Sequence, residues 1–388
     1  MALALNGAQE IVIDPNGDLI LRFFTSKDTG NAQFRAARGN GLVNGRITAK
    51  MQVSRMVIAK NSSYYRRMLT AGSSVASDKV IDIKESKVRW AELWFRAFHG
   101  ADQPLLSFKI GIPGVWEGNS ATPDEMKKLG GWFRKLMENK PIAKLDNNLE
   151  DMRMLMFPCN VFNHVEAFAE ITRVLAYESP KSITELNPTE HRKLHLDGNV
   201  IGSLNSARGS LKSKLRTMLL LPAGNIILQS CICRRDTKDA FDDALKTIGF
   251  WHVIDFSRRS VQSILDMHSF INFSVQIPPT ACETCHLNAD AGAVRKARWE
   301  VVNDFHGLCL DCMEQTKTGS VDEDYWKKDS LQQWDRGCRI KHGESTWNFS
   351  FMGRKTDMEQ HQKKKRLLAL VEAQKQTRNG RALMARQV

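Results

Sequence analysis

The sequence has no long apolar run. Its most apolar window, residues 217–233, is interrupted by Pro222, Gly224 and Asn225, whereas a membrane-spanning helix needs about 20 consecutive apolar residues. The first residues also lack the basic and long apolar segments of a secretory signal. We therefore expect a soluble, intracellular protein, and we read its eight cysteines as thiols that favour metal binding over disulfide bonding.

The short motifs of common enzyme classes are missing as well. There is no G-x4-G-K-[ST] phosphate loop, and GNGLVNG (39–45) does not match G-x-G-x-x-G. In HRKLH (191–195), Arg192 stands where a zinc protease has glutamate. No G-x-S-x-G nucleophile turn occurs. The sequence therefore predicts that the protein is not an enzyme.

Length and composition are those of a globular protein with more than one domain. The chain has 388 residues, of which 42% are hydrophobic and 26% charged, so it can bury a large core without disulfides. The net charge is +13, but it is unevenly distributed. Residues 353–388 carry ten Lys and Arg against three Asp and Glu.

The N-terminal third alternates strand and helix patterns. Two apolar runs around DPNGD predict a β-hairpin over residues 9–24. Residues 25–50 are polar and Gly-rich, which predicts a loop or an insert. Helices are then expected with Ser54 as N-cap and with Ser62 or Ser63 as a second cap. A strand over 79–84 and a helix that ends at Gly100 follow.

This pattern resembles the BTB/POZ domain. The segment VSRMVIAKNSSYYRRML, the strand IDI and the helix ELWFRAFHG are similar to the helix pair, strand and apolar helix of that family. The opening IVIDPNGDLILRF and the later GLCLDCM and TWNFSFMGR look like BTB-type proteins of filamentous fungi. On that resemblance the domain covers residues 9–178, with inserts at 25–50 and 101–150.

The resemblance implies a protein-interaction module without catalysis. BTB domains are often homodimers, and some are adaptors for cullin-type ubiquitin ligases or transcriptional co-factors. The fold class that we predict is α+β. The BTB/POZ-like domain would be followed by a helical region at 179–275, a Cys-rich zinc module at 276–352 and a basic tail at 353–388.

Two C-x2-C pairs carry the clearest chemical signal. Cys282 and Cys285 form one pair and Cys309 and Cys312 the other, with 23 residues between them. Each pair places two thiolates on one tight turn, and two such turns complete a tetrahedral zinc site. We therefore predict one structural Zn²⁺ held by these four cysteines. The alternative is that they are buried free thiols, which behave as small hydrophobic side chains.

Other donors lie near the pairs. Cys338 and His342 form C-x3-H, which also fits metal ligation, so six residues compete for four positions unless a second ion binds. Cys231 and Cys233 lie in the apolar run NIILQSCIC, which favours a buried strand over ligation. Cys159 is expected in the core.

The basic tail is the part of the sequence that bears on localisation. Lys363, Lys364, Lys365 and Arg366 favour the nucleus over the cytoplasm if they act as a localisation signal, and a solvated helix is the other interpretation. We expect a protein-protein interaction protein, a scaffold or adaptor whose partner is a second copy or a cullin-type ligase. The alternative is a zinc-dependent nucleic-acid-binding or transcription-associated protein.

Overall fold

The structure, a computed structural model, is α+β as the sequence predicts. It describes residues 8–25, 32–35, 42–70, 78–84, 88–100, 112–117, 128–139, 148–189, 194–249, 258–317, 337–353 and several positions from 356 to 371. The strands of this described part are β1 Gln9–Val12, β2 Leu19–Thr25, β3 Ala32–Arg35, β4 Leu42–Val53 and β5 Val80–Lys84.

The described helices occur in both halves of the chain. Those of the first half are α1 Arg55–Asn61, α2 Ser63–Leu69, α3 Val88–Phe98, α4 Ile112–Glu117, α5 Gly130–Asn139, α6 Leu149–Val161 and α7 Val165–Glu178. Those of the second half are α8 Gly198–Ile227, α9 Arg234–Thr247, α10 Val261–Leu265, α11 His268–Ile271, α12 Glu283–Asn288, α13 Gly292–Val302, α14 Leu310–Thr316 and α15 Glu344–Ser350.

The chain forms two compact units. The first comprises residues 1–144, 161–164 and 187–194, and the second comprises residues 145–160, 165–186 and 195–388. This division differs from the four segments that the sequence predicts. Most of α6 and all of α7, which were expected to close a domain over 9–178, belong to the second unit together with the predicted helical region and the Cys-rich segment.

The sheet of the first unit has the order β1-β4-β2-β5, and β3 pairs with β4. β1 and β4 are parallel, β2 and β4 are antiparallel, and β2 and β5 are parallel. The predicted hairpin over 9–24 is therefore wrong. Its turn is present, with the Gly17 amide donating to the Asp14 carbonyl at 2.9 Å, but β4 lies between the two strands.

The predicted insert at 25–50 is also wrong as a loop. It contains β3 and most of β4, a 12-residue strand that pairs with three others. Its sequence LVNGRITAKMQV carries Gly45 and several polar residues, which weaken the sequence signal of a strand. Pairing on both sides supplies the stabilisation that the local sequence does not indicate, because each ladder satisfies backbone N–H and C=O groups.

Buried and more exposed side chains alternate along the strands and define the two faces of the sheet. Leu19, Leu21 and Phe23 of β2 are buried in the core with Met51 and Val53 of β4. Ile20 and Arg22, which alternate with them in β2, point to the other face, as the two-residue period of a strand requires. Helices α1 and α3 cover the core side with Ile58 and Phe95.

The helices α1, α2 and α3 form where the sequence predicts them, as does the strand β5. The hydroxyl of Ser54 caps α1 by accepting from the Val57 amide at 3.4 Å. Ser62 is the N-cap residue of α2 without a side-chain cap. Gly100 follows α3 with φ of 68°, a conformation that terminates helices and favours glycine.

The predicted insert at 101–150 also contains helices. In the described part, α4 and α5 fall within it, and α5 buries Trp132 and Phe133. Phe133 stacks on Phe162 with ring centroids 4.6 Å apart. The aromatic side chains therefore extend the core of the first unit beyond the sheet.

The second unit is built around α8, a helix of 30 residues. Its buried side chains recur at helical spacing and include Leu204, Leu211, Leu215 and Leu219. Pro222 lies inside the helix and is itself buried. Within the described residues, no helix is both long enough and apolar enough to cross a membrane.

Candidate metal centres

Eight sulfur and nitrogen donors of the second unit form two separate groups. The first group, cluster A, consists of Cys231, Cys233, Cys282 and Cys285. The second group, cluster B, consists of Cys309, Cys312, Cys338 and His342. In each cluster the four donor atoms lie within 4.8 Å of one another. Each cluster can therefore hold one metal ion.

Cluster A joins the turn between α8 and α9 to the start of α12. The Cys231 Sγ lies 3.2 Å from the Cys285 Sγ and 3.3 Å from the Cys233 Sγ. Cys233 is the N-cap residue of α9, and Cys282 is the N-cap residue of α12. The helix starts therefore aim thiols from distant parts of the chain at one point.

Backbone amides assist the thiols of cluster A. The amide of Cys282 donates to the Cys233 Sγ at 3.2 Å. The Cys285 amide and the Cys231 and Cys233 thiols lower the pKa of Cys282 to about 7, because hydrogen bonds to a thiolate favour the charged form. Burial raises the pKa of Cys285. A metal ion that binds here displaces the remaining thiol protons.

Cluster B joins the start of α14 to the segment before α15. Cys309 is the N-cap residue of α14, and Cys312 lies in its first turn. The Cys312 Sγ lies 3.6 Å from the Cys338 Sγ and 3.3 Å from the His342 Nε2. Cys309, Cys312 and His342 are buried, and Cys338 is half-buried.

The tautomer of His342 suits metal ligation. Its Nδ1 lies 3.0 Å from the Gly343 carbonyl oxygen and donates to it when Nε2 is the ligand, which is the usual support for a metal-bound histidine. Burial lowers the pKa of His342, but hydrogen bonds with the thiolates of Cys309 and Cys338 outweigh it and raise that pKa to about 10. The hydrogen bond with Cys312 lowers the pKa of Cys309.

A second layer of contacts fixes the ligands of cluster B. The Arg339 guanidinium binds both oxygens of Asp311, and the Arg339 amide donates to Asp311 at 2.8 Å. Asp311 lies between the two cysteines of α14, and Arg339 follows Cys338. The ion pair therefore holds the two ligand-bearing segments together. The amide of Cys309 donates to the hydroxyl of Ser350 at 2.8 Å.

Cluster B rests on α7. The Leu308 amide donates to the Thr172 hydroxyl at 2.8 Å, and both residues are buried. Gly307 has φ of 91°, and a Cβ there would lie 1.8 Å from the Ala169 carbonyl oxygen. The glycine is therefore required by the close approach of the two backbones as well as by the turn.

The sequence prediction of one site shared by the two C-x2-C pairs differs from this arrangement. Cys282 and Cys285 belong to cluster A, whereas Cys309 and Cys312 belong to cluster B. Cys338 and His342, which were expected to compete for one ion, complete cluster B. The tertiary structure explains the difference. Helix α8 brings Cys231 and Cys233 close to α12, and residues 337–342 bring Cys338 and His342 close to α14.

The interpretation of Cys231 and Cys233 as a buried strand is wrong. The apolar residues before them continue α8 through Pro222 to Ile227, and the two cysteines follow in a turn. Donor counting could have found them, because C-x-C, two C-x2-C pairs and C-x3-H together provide eight donors, enough for two ions. Cys159 is buried, as expected, and lies in neither cluster.

Three comparisons, with protein-family models, with curated proteins and with solved structures, found no match for this chain. The resemblance to BTB/POZ domains therefore stays a prediction. His286 and His306 are exposed, and neither belongs to cluster A or to cluster B. His195 is exposed, and His191 lies outside the described residues.

Proposed function

We propose that the chain is a non-enzymatic protein-protein interaction protein whose second unit is stabilised by two structural Zn²⁺ ions. The observation that carries the proposal is that each cluster provides four protein donors. Four protein ligands close a tetrahedron, whereas a catalytic zinc keeps one position open for water or substrate. The ions would then hold segments of the chain together and take part in no reaction.

Zinc is the metal that fits these donors best. Four thiolates, or three thiolates and one imidazole, are the usual ligand sets of structural zinc. Zn–S bonds of about 2.3 Å in a tetrahedron place the sulfurs about 3.8 Å apart. The observed Sγ separations of 3.2, 3.3 and 3.6 Å need only a small expansion to reach that value.

Metal analysis of the purified full-length chain tests this part. We expect two zinc ions per chain, and one each in Cys231→Ser and Cys312→Ser. Cys159→Ser, which removes a buried thiol outside both clusters, is the matched control and should retain two. Protein purified with reductant that carries no zinc would refute the proposal.

The outer face of the sheet supports a protein partner. One row across the strands consists of Val12, Gln52, Ile20 and Val80, paired in register, and its three apolar members are exposed. The next row pairs Glu10 with Lys50 and Arg22 with Asp82 as ion pairs. A face with an apolar row and internally balanced charge suits protein rather than nucleic acid.

We propose a second copy of the chain, bound in the manner of a BTB-like homodimer, as the partner of this face. Adaptor function for a cullin-type ligase is the related possibility that the family resemblance implies. Light scattering after size-exclusion chromatography should give a dimer, and Ile20→Glu should make it monomeric. Leu228→Glu, which alters an exposed leucine of the other unit, is the control. A monomeric wild-type chain would exclude the homodimer.

The alternative is a zinc-dependent nucleic-acid-binding or transcription-associated protein that uses the C-terminal module and the basic tail. Exposed basic residues of the tail support this alternative, and they also support nuclear localisation. Lys363, Lys364 and Arg366 are exposed, and Lys365 lies outside the described residues. Such binding weakens steeply with salt, because Lys and Arg release counterions from phosphates. Binding to DNA or RNA that persists after truncation at residue 353 would assign it to another surface.

A further inference from the structure

The two clusters differ in how far their thiols are open to solvent. In cluster A, Cys231 and Cys282 are half-buried. Cys233 and Cys285 are buried. The side chains of Ile232, Leu228 and Leu287, which are close to these cysteines in sequence, are 101%, 82% and 71% exposed. In cluster B, Cys309 and Cys312 are buried beneath Trp347, and Cys338 is the half-buried thiol.

The closest thiols of cluster A come from two separate parts of the chain. The Cys231 Sγ lies 3.2 Å from the Cys285 Sγ, and the two cysteines are 54 positions apart in sequence. A disulfide bond is about 2.05 Å long, so the two sulfurs need to approach by a little more than an ångström from this separation, and by less than about 2 Å from the spacing in a zinc tetrahedron. In cluster B, the thiol that solvent reaches is 3.6 Å from the buried Cys312 Sγ.

We propose that cluster A is the oxidation-sensitive metal site of this chain, at which hydrogen peroxide oxidises Cys231 and Cys285 to a disulfide and the ion is released. This inference rests on the proposed function, because it assumes that zinc occupies both clusters. Exposure and thiolate character govern which cysteines are oxidised. Cluster B retains its ion under the same conditions.

The reaction proceeds in two steps. The Cys231 thiolate attacks one oxygen of the peroxide, the O–O bond breaks, and the second oxygen leaves as hydroxide and becomes water on taking up a proton. The Cys285 thiolate then attacks the resulting sulfenic sulfur. The S–S bond forms as the S–O bond breaks, and the hydroxide that leaves takes up a second proton.

The balance is two thiolates, one peroxide and two protons converted into one disulfide and two waters. The two thiolates lose two electrons, and the peroxide gains them. Only Cys233 and Cys282 then remain as thiolate donors in cluster A. Two donors do not complete the tetrahedron of four that structural zinc requires, so the ion leaves.

The test uses full-length, zinc-loaded protein treated with hydrogen peroxide in the presence of a colour-forming zinc indicator. We expect one of the two zinc ions to be released with a half-time at least about tenfold shorter than that of the other. Peptide mass mapping should find Cys231 linked to Cys285. Dithiothreitol and added zinc should restore two ions per chain.

One variant serves as the control. Cys159→Ser removes the buried thiol outside both clusters, and it should release the first ion at the wild-type rate. Release of both ions at one rate, or a disulfide between Cys312 and Cys338, would overturn the inference.

The outcome also separates this inference from the function on which it rests. Protein that carries two zinc ions and keeps both in peroxide refutes the oxidation-sensitive site alone. Protein that carries no zinc before treatment refutes the structural zinc proposal, and the oxidation-sensitive site fails with it.

Discussion

Clusters A and B use the same local device in different surroundings. In both, one cysteine caps a helix and a second follows three residues later, at Cys282 and Cys285 in α12 and at Cys309 and Cys312 in α14. The Asp311–Arg339 ion pair joins the two segments of cluster B, which also contacts α7, whereas cluster A has two half-buried thiols and exposed aliphatic residues close to it in sequence. Equal ligand spacing therefore does not imply that the two clusters contribute equally to the free energy of unfolding.

The comparison is tested most strongly by removing one ligand from each cluster. Cys312→Ser should destabilise the second unit by about 5 kcal/mol or more, because it removes the metal and leaves buried donors unpaired. Cys231→Ser should cost less, because cluster A lies nearer the solvent. Thermal unfolding with zinc analysis measures both. A larger loss in Cys231→Ser would reverse the ranking.

The contact between α7 and the segment before cluster B can be altered without changing a metal ligand. Gly307→Ala should cost about 3 kcal/mol or more, because the added Cβ meets the Ala169 backbone and the residue has positive φ. Gly337→Ala is the matched control, since Gly337 has φ of 74° with open space around it, and about 1 kcal/mol is expected. Urea unfolding of both variants provides the measurement. Equal losses would show that backbone strain alone, without the contact to α7, explains the effect.

A single hydrogen bond between α7 and cluster B should contribute less. Thr172→Val removes the hydroxyl that accepts from the Leu308 amide and donates to the Phe168 carbonyl. An unpaired buried amide costs about 1–3 kcal/mol. Hydrogen exchange at the Leu308 amide should become faster in the variant. Thr247→Val, which removes a hydroxyl bonded within the exposed end of α9, is the control and should change little.

The smallest effect is expected at the exposed edge of cluster A. Ile232 lies between two ligands but is fully exposed, so Ile232→Ser should change the free energy of unfolding by less than about 0.5 kcal/mol. Zinc content should remain at two ions per chain. A loss comparable to that of Gly307→Ala would mean that Ile232 is covered in solution.

Local sequence predicted those features that depend on neighbouring residues. Ser54 marked the start of α1, Gly100 marked the end of α3, and the alternation in VIDIK marked β5. In each case a cap, a glycine or a two-residue period acts within a few positions of the chain. The C-x2-C and C-x3-H spacings indicated metal ligands for the same reason.

Features that depend on distant contacts were missed. β4 is polar and Gly-containing along much of its length, and it is a strand because β1, β2 and β3 pair with it. Helix α8 continues through Pro222 because its buried face packs within the second unit. A local sequence pattern does not show which distant segments pack against it. For this reason a hairpin was predicted instead of the pairing with β4, and a strand at Cys231 was predicted instead of the continuation of α8.

The sequence by itself indicated six of the eight donors, in the two C-x2-C pairs and in C-x3-H, whereas Cys231 and Cys233 were assigned to a buried strand. Only the tertiary structure decided how the pairs combine, because 48 residues separate Cys233 from Cys282 and 25 separate Cys312 from Cys338. Ligand spacing acts within one turn, whereas the choice of partner turn is made by the packing of α8, α12 and α14. That packing also decided which cluster is buried and which is open to solvent.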